Sequence, residues 1–193
     1  MDIVNIVQEC SPSVAPATML QIIHIESNTN SNAIGSRVIK NGQVFYLSKQ
    51  PNSKAEAIVW AHWLNNNGYR FDAGIAQISS VNFKKYELTP DNVFDPCTNI
   101  RVASKILEKF YNKAAKTHGF GQRALLAAIS AYNTGNFQSG FKNGYVLKVQ
   151  TAKPYIKAKS NYKKNLSTQK KDLLNSSTEV EHFFLIGVNY EFM

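Results

Sequence analysis

The segment "GQRALLAAISAYNTGN" at 121–136 leaves the least freedom to any fold this chain can adopt. It reads as a helix rich in alanine and apolar on nearly every side until it reaches "AYN". Such a helix has no face to offer water, so it belongs at the centre of a helical domain, with other helices around it. Gly135, in "NTGN", suits a left-handed cap at its end. A second helix over about 99–116 has a one-sided stripe of Ile100, Ala103, Leu107, Phe110 and Ala114. A third runs from Pro16, suited to its first turn, to Ser27, where "NTNSNAIG" stops it. Its inward positions are Met19, Ile22, Ile23 and then Glu26, an acid in line with an apolar stripe.

Between these helices lies a smaller, mixed region. "GQVFYL" at 42–47 is a strand candidate, and "YRFDAGIAQIS" at 69–79 reads as a hairpin bending at Asp-Ala-Gly. The stretch "SKAEAIVWAHWLNNNG" opens with Ser53 and Glu56 in capping-box spacing and ends at Gly68. Ile58, Val59, Trp60, Trp63 and Leu64 give that helix a wide inward face, which assigns both tryptophans to the core. The expected class is therefore mainly α, with a small β insertion near 42–80. The 193 residues suffice for one domain with a real core.

Charge divides the chain unevenly. Of the net +9, residues 142–171 hold nine lysines and no acid, while 172–193 hold four acids and no Lys or Arg. We therefore expect a domain over 1–141 and a basic extension over 142–193, with "KPYIKAKSNYKKN" a possible last helix. The lysine run has no arginine and few aromatics, so a nucleic-acid surface is not expected. A solvated tail, or a patch for an anionic polymer or a membrane surface, fits it better. No stretch approaches the ~20 apolar residues of a membrane span. "MDIVNIVQEC" has an acid at position 2 and no basic n-region, so no secretory signal is expected in the chain as written.

The residues that can carry chemistry are few. A carboxyl buried in an apolar wall keeps its proton near neutral pH and can donate it. The alternative for Glu26 is a helix-terminal acid that turns to solvent. Ser27, Gln77, Tyr132 and Asn133 are neutral hydrogen-bonding groups, a set that suits an N-acetylated sugar better than a phosphate or a metal. Asp72 and Asp95 both sit in turn contexts where capping accounts for them, so no second acid stands out. His24, His62, His118 and His182 show no ligand spacing, and neither a metal nor a cofactor is expected. Cys10 and Cys97 are either two buried thiols or one disulfide.

The order of the pieces says more than any one of them. "ES" at the end of a helix, then "GIAQI", then "AYN" closing an alanine-rich helix resembles the lysozyme-like lytic transglycosylases. The resemblance is closer still to the peptidoglycan-cleaving component of type IV secretion systems. It extends to "VAPATM", "NAIG", "FDAGIAQI" and "FDPCTNI" and runs from about residue 8 to 140. It implies a lysozyme-like α+β fold with the hairpin lining a cleft.

The resemblance also implies that Glu26 is the single catalytic acid/base. It implies substrate binding by Ser27, Gln77, Ile78, Tyr132 and Asn133, with Tyr132 placing its hydroxyl near the acid and Asn133 holding the turn. The implied reaction cuts the bond between N-acetylmuramic acid and N-acetylglucosamine, leaving a 1,6-anhydro ring, and needs no nucleophilic aspartate. Relatives often have cysteines at both places, which implies a Cys10–Cys97 disulfide and a periplasmic location. Secretion-system assembly proteins are the implied partners of the C-terminal region. Where the family usually has Leu-Met, Asn and Ala, this chain has Ile75-Ala76, Ser79 and Thr134. These are expected to change the shape of the cleft wall. Two other readings stay open: a lysozyme-type muramidase, and a non-catalytic peptidoglycan-binding scaffold of the same fold.

Overall fold

The computed structural model describes residues 2–153, and the helix expected after Pro154 lies outside them. The alanine-rich segment forms α5 (Gln122–Thr134), which buries Ala124, Leu125, Ala127, Ala128, Ile129, Ser130 and Ala131. Its main neighbour is α4 (Pro96–His118), whose Ile100, Ala103, Leu107 and Ala114 are all but inaccessible. Small side chains on both helices let the two backbones approach closely. Asp95 caps α4 by accepting a hydrogen bond from the Thr98 amide at 2.8 Å, and this holds its carboxyl below the usual range.

Two shorter helices brace this pair. Helix α1 (Ile3–Cys10) packs on α4, and Cys10 is bonded to Cys97 at its start, with a sequence separation of 87. In the chain-entropy model, closing so long a loop stabilises the fold by about 4 kcal/mol. Helix α2 (Pro16–Ser27) buries Met19, Leu20, Ile22 and Ile23 completely or nearly so, about 2 kcal/mol for each side chain. It stops at Asn28, which adopts φ 51° and donates its amide to the His24 carbonyl at 3.0 Å.

The insertion holds two small antiparallel sheets. In the first, β1 (Arg37–Lys40) pairs with β2 (Gln43–Tyr46) in the register Val38 to Phe45. Asn41 (φ 51°) and Gly42 (φ 79°) turn between them, the two-residue connection that Asn-Gly favours. The second joins β3 (Asp72–Ala73) to β4 (Ile78–Ser79), as the hairpin expectation required.

Helix α3 (Lys54–Asn66) corrects the expectation for its tryptophans. Its buried face is Ala57, Ala61 and Leu64, while Trp63 is 57% exposed and Val59 64%. Trp63 stacks on Tyr69 instead of entering the core, with ring centroids 5.6 Å apart. Trp60 is half-buried and lies under the Lys49 ammonium, 5.7 Å from it.

Between 142 and 151, past the boundary that charge placed, the chain stays folded. Helix α6 (Ser139–Lys142) crosses α5 with Gly140 directly over Ser130; a Cβ on Gly140 would come 2.5 Å from the Ser130 Cα. The Ser130 hydroxyl accepts the Gly140 amide at 2.9 Å and donates to the Asn136 carbonyl at 2.9 Å. Helix α7 (Tyr145–Thr151) then packs on both α2 and α5, burying Tyr145, Val146 and Val149. Among the described residues, no helix is long and apolar enough to cross a membrane.

Candidate active site

Glu26 stands in the last turn of α2, one turn beyond Ile22 and Ile23, and borders a cleft of about 610 Å³. The opposite borders come from β1, the β3–β4 hairpin, the middle of α4 and the end of α5. The apolar helix face thus delivers the acid to the edge of an open, largely polar space. Burial pushes its carboxyl up to about 7, well above the ordinary 4.5. The Tyr145 hydroxyl opposes that rise and the charge of Asp72 adds to it. An ordinary glutamate would be only roughly 0.3% protonated at pH 7, whereas this one is about half protonated.

Tyr145 donates its hydroxyl hydrogen bond to Glu26 Oε1. Its residue surface is 93% covered, and burial together with the nearby Glu26 charge drives its own ionisation far above the tyrosine range. It therefore remains a neutral donor at any working pH. Sequence reasoning missed it because it falls within the lysine-rich stretch. The signal available was the spacing Tyr145, Val146, Val149, one face of a helix turn. Tyr145→Phe removes the bond that favours the carboxylate, so the Glu26 pKa should climb further. We expect the alkaline limb of the pH–activity profile to move to higher pH and the maximal rate to fall about tenfold. An unchanged profile would show that the hydroxyl does not act on the acid.

The other expected residues divide by role. Ser27 does not border the cleft; its hydroxyl donates to the Ile75 carbonyl at 2.7 Å and ties α2 to the β3–β4 turn. Gln77 borders the cleft, with φ 49°, and donates its amide to the Ala33 and Gly74 carbonyls at 3.1 and 2.9 Å. Ile78 also borders the cleft although it is nearly fully buried, so it forms floor rather than rim. Tyr132 borders the cleft beside the acids, but its hydroxyl donates to the Ala76 carbonyl at 2.7 Å, not to Glu26. Burial and the charges of Glu26 and Asp72 hold it neutral. Asn133 lies exposed at the rim, and its Oδ1 accepts from Asn143 at 3.0 Å, which braces the turn after α5.

Two expectations need correcting. Ile75 and Ala76 do not shape the cleft wall: both are buried behind it, and only their backbone groups serve the site. Asp72 is not a cap. It borders the cleft in β3, bonded to Ser79, and burial raises its carboxyl pKa against the pull of Ser79 and Arg37. Ser79 thus serves Asp72. Thr134 donates to the Ser130 carbonyl at 2.8 Å and stays at the rim.

A buried asparagine holds the turn in place. Asn99 is inaccessible; its Oδ1 accepts the Ala76 amide at 2.9 Å, and its Nδ2 donates to the Ala73 and Val93 carbonyls at 3.0 and 2.8 Å. The turn that carries Gln77 and receives Tyr132 is therefore fixed from beneath by two bonds, and the third ties Asn99 to the segment before α4. Among the described residues, no three of His, Cys, Asp and Glu gather into a group that could hold a metal ion.

Comparison with known proteins gives a consistent picture. The sequence model of the Transglycosylase SLT domain matches residues 4–154. A protein of Brucella suis biovar 1 named "Type IV secretion system protein virB1" is 45% identical over 148 residues, covering 74% of this chain and 60% of that protein. The protein of the same name from Brucella abortus biovar 1 is 43% identical over 160 residues, covering 77% and 65%. "Protein virB1" of Agrobacterium fabrum is 38% identical over 148 residues, covering 77% and 58%. The chain thus spans less than two thirds of the length of each. No solved structure matches significantly.

Proposed function

Given that the chain belongs to the Transglycosylase SLT domain family, we propose that it is a peptidoglycan lytic transglycosylase that opens the cell wall locally for a type IV secretion system. The observation that carries this reading is Glu26: a carboxyl poised near pH 7 at the edge of a polar cleft, held by a neutral tyrosine. Protonated Glu26 gives its proton to the glycosidic oxygen as the bond from muramic C1 breaks. The resulting carboxylate then takes the proton of the muramic C6 hydroxyl, whose oxygen bonds to C1. The acid ends as it began, and no water is consumed. Gln77 and Asn133 at the cleft border are placed to meet substrate, while Ser27, Asn99 and the Tyr132 hydroxyl hold the frame.

Asp72 supports a second reading. A second carboxyl in the same cleft is what a lysozyme-type hydrolase uses, with water as the acceptor. Mass spectrometry of the muropeptides released from purified sacculi separates the two. Anhydro-muramic ends are expected; reducing ends would overturn the transglycosylase reading in favour of the hydrolase.

We place the working domain over residues up to about 153, since α7 supplies Tyr145, and the basic extension after it. The substrate puts the site of action in the periplasm. The relatives' names and the lysines beyond 153 support docking of assembly proteins on that extension. Capture of those proteins by chains with and without 154–193 tests this, and equal capture would remove the idea.

A further inference from the structure

The cleft is more basic than the chemistry of Glu26 requires. Arg37, Arg70, Lys85 and Lys109 border it, against the two acids Glu26 and Asp72. Both acids are pushed toward their neutral forms, so near pH 7 the lining has a clear excess of positive charge. Ion pairs among the described residues form at Lys49–Glu56 and His62–Asp91, and none of the four cleft cations takes part in one.

Two of the four converge. Lys109 shares the cleft-facing side of α4 with Ile106 and Phe110, three residues before it and one after. Lys85, from the 3₁₀ turn Lys84–Tyr86, borders the same cleft with its ammonium 5.0 Å from the Tyr86 ring centre, close enough to Lys109 for the two charges to act on each other. Its nearness pulls Lys109 below the ordinary lysine range. Two lysines on the border of one cleft, with six N–H donors and neither in an ion pair, form a seat for an anion. Tyr86 and Phe110 flank that seat with apolar surface.

We propose that Lys85 and Lys109 form a carboxylate-binding subsite, so that the cleft selects glycan strands by the acid groups they carry as well as by their sugars. This rests on the reading of the cleft as a peptidoglycan site. The sugar rings themselves offer hydroxyl and acetamido groups, neither of which needs two cations. Carboxylate on such a strand has two sources. A bare muramic residue presents its lactyl carboxylate; in a substituted one that group is an amide, and the carboxylates belong to the stem peptide. Lysines suit either source because an ammonium binds as a point charge with loose directional demands.

The experiment compares wild type with the double variant Lys85→Gln, Lys109→Gln on two substrates: peptide-bearing strands, and strands stripped by an amidase. The expected result is a KM about tenfold higher with kcat within twofold, since rim charges act on capture more than on chemistry. A rise on peptide-bearing strands alone assigns the subsite to stem carboxylates. A rise on stripped strands alone assigns it to the lactyl group, and a rise on both shows that either can fill it. Lys85→Arg with Lys109→Arg should restore KM, which a merely structural role would not predict. KM unchanged on both substrates overturns the subsite. Equilibrium binding of the same strands reads it independently of turnover. Loss of the two lysines must weaken that binding even if the released ends prove to be of the hydrolase kind.

Discussion

Glu26→Gln should lower strand cleavage on purified sacculi at least about a hundredfold, equivalent to about 3 kcal/mol in the barrier. Glutamine keeps the shape of the side chain and can still accept from the Tyr145 hydroxyl, but it has no proton to give the leaving oxygen. Equal loss of turbidity by both proteins would sink the assignment. The same substitution has a second readout that does not depend on substrate. A glutamate with a folded pKa of about 7 against an ordinary 4.5 binds more protons folded than unfolded between those values. Stability therefore falls as pH rises through that window. The full cost, of order 3 kcal/mol before water at the cleft mouth screens it, is present above pH 7 and absent below 4.5. Glu26→Gln is thus expected to melt higher than wild type at pH 8 and at about the same temperature at pH 4.5. Inactivation combined with stabilisation at alkaline pH is a pattern that a disrupted fold cannot produce.

Gly74→Ala is expected to destabilise the fold severely. Gly74 has φ +81°, where a side chain is strained, and an added Cβ would lie 2.2 Å from Asn99 Nδ2 and 2.6 Å from the Val93 carbonyl oxygen. Neither neighbour can yield cheaply. One is backbone, and the other is an inaccessible amide whose bonds to Ala73 and Ala76 hold the β3–β4 turn while its third reaches Val93. Moving Asn99 breaks its bonds with the Ala76 amide and with the Ala73 and Val93 carbonyls. Strain, overpacking and lost bonds together point to a loss of about 4 kcal/mol, read from the denaturant midpoint at constant slope. Cleavage should fall as well, because Gln77 and the anchor of Tyr132 ride on the same turn. A loss below about 1 kcal/mol would show that the turn relaxes freely, and the account of Asn99 as its foundation would be wrong.

How much of this was legible in the chain differs from residue to residue. The central helix was plain because thirteen residues of one texture admit one environment, whereas helical spacing put Glu26 in line with Ile22 and Ile23 but left a solvent-facing acid equally open. The first hairpin was half read: "GQVFYL" was seen, but its partner Arg37–Lys40 was not, although Asn41-Gly42 announces the turn. Helix α3 misled because its large apolar residues spread around the circumference. The face that packs is the small one, Ala57 and Ala61, where the backbone comes closest and tryptophan would not fit. Asp72 was read from its neighbours as a turn acid; only the fold shows that the hairpin's pleat turns it toward the cleft. Tyr145 was hidden by charge. Nine lysines without an acid describe a solvated stretch on average, and the average conceals a single buried turn.

The bond between Tyr145 and Glu26 spans 119 residues of sequence, from the second helix to the last described one. A chain leaving the ribosome exposes its acid early and its tyrosine late. "ES", "GIAQI" and "AYN" are all in place before α7 exists. Until α6 slides over Ser130 and α7 docks, the carboxyl has neither its hydrogen-bond donor nor the full low-dielectric wall that raises its pKa. A nascent or clipped chain ending near "AYN" would then hold every recognisable motif and still lack the tyrosine that donates to its acid. For a protein read as cutting the wall around the cell, the pairing of Glu26 with Tyr145 is complete only once the last described helix has been made.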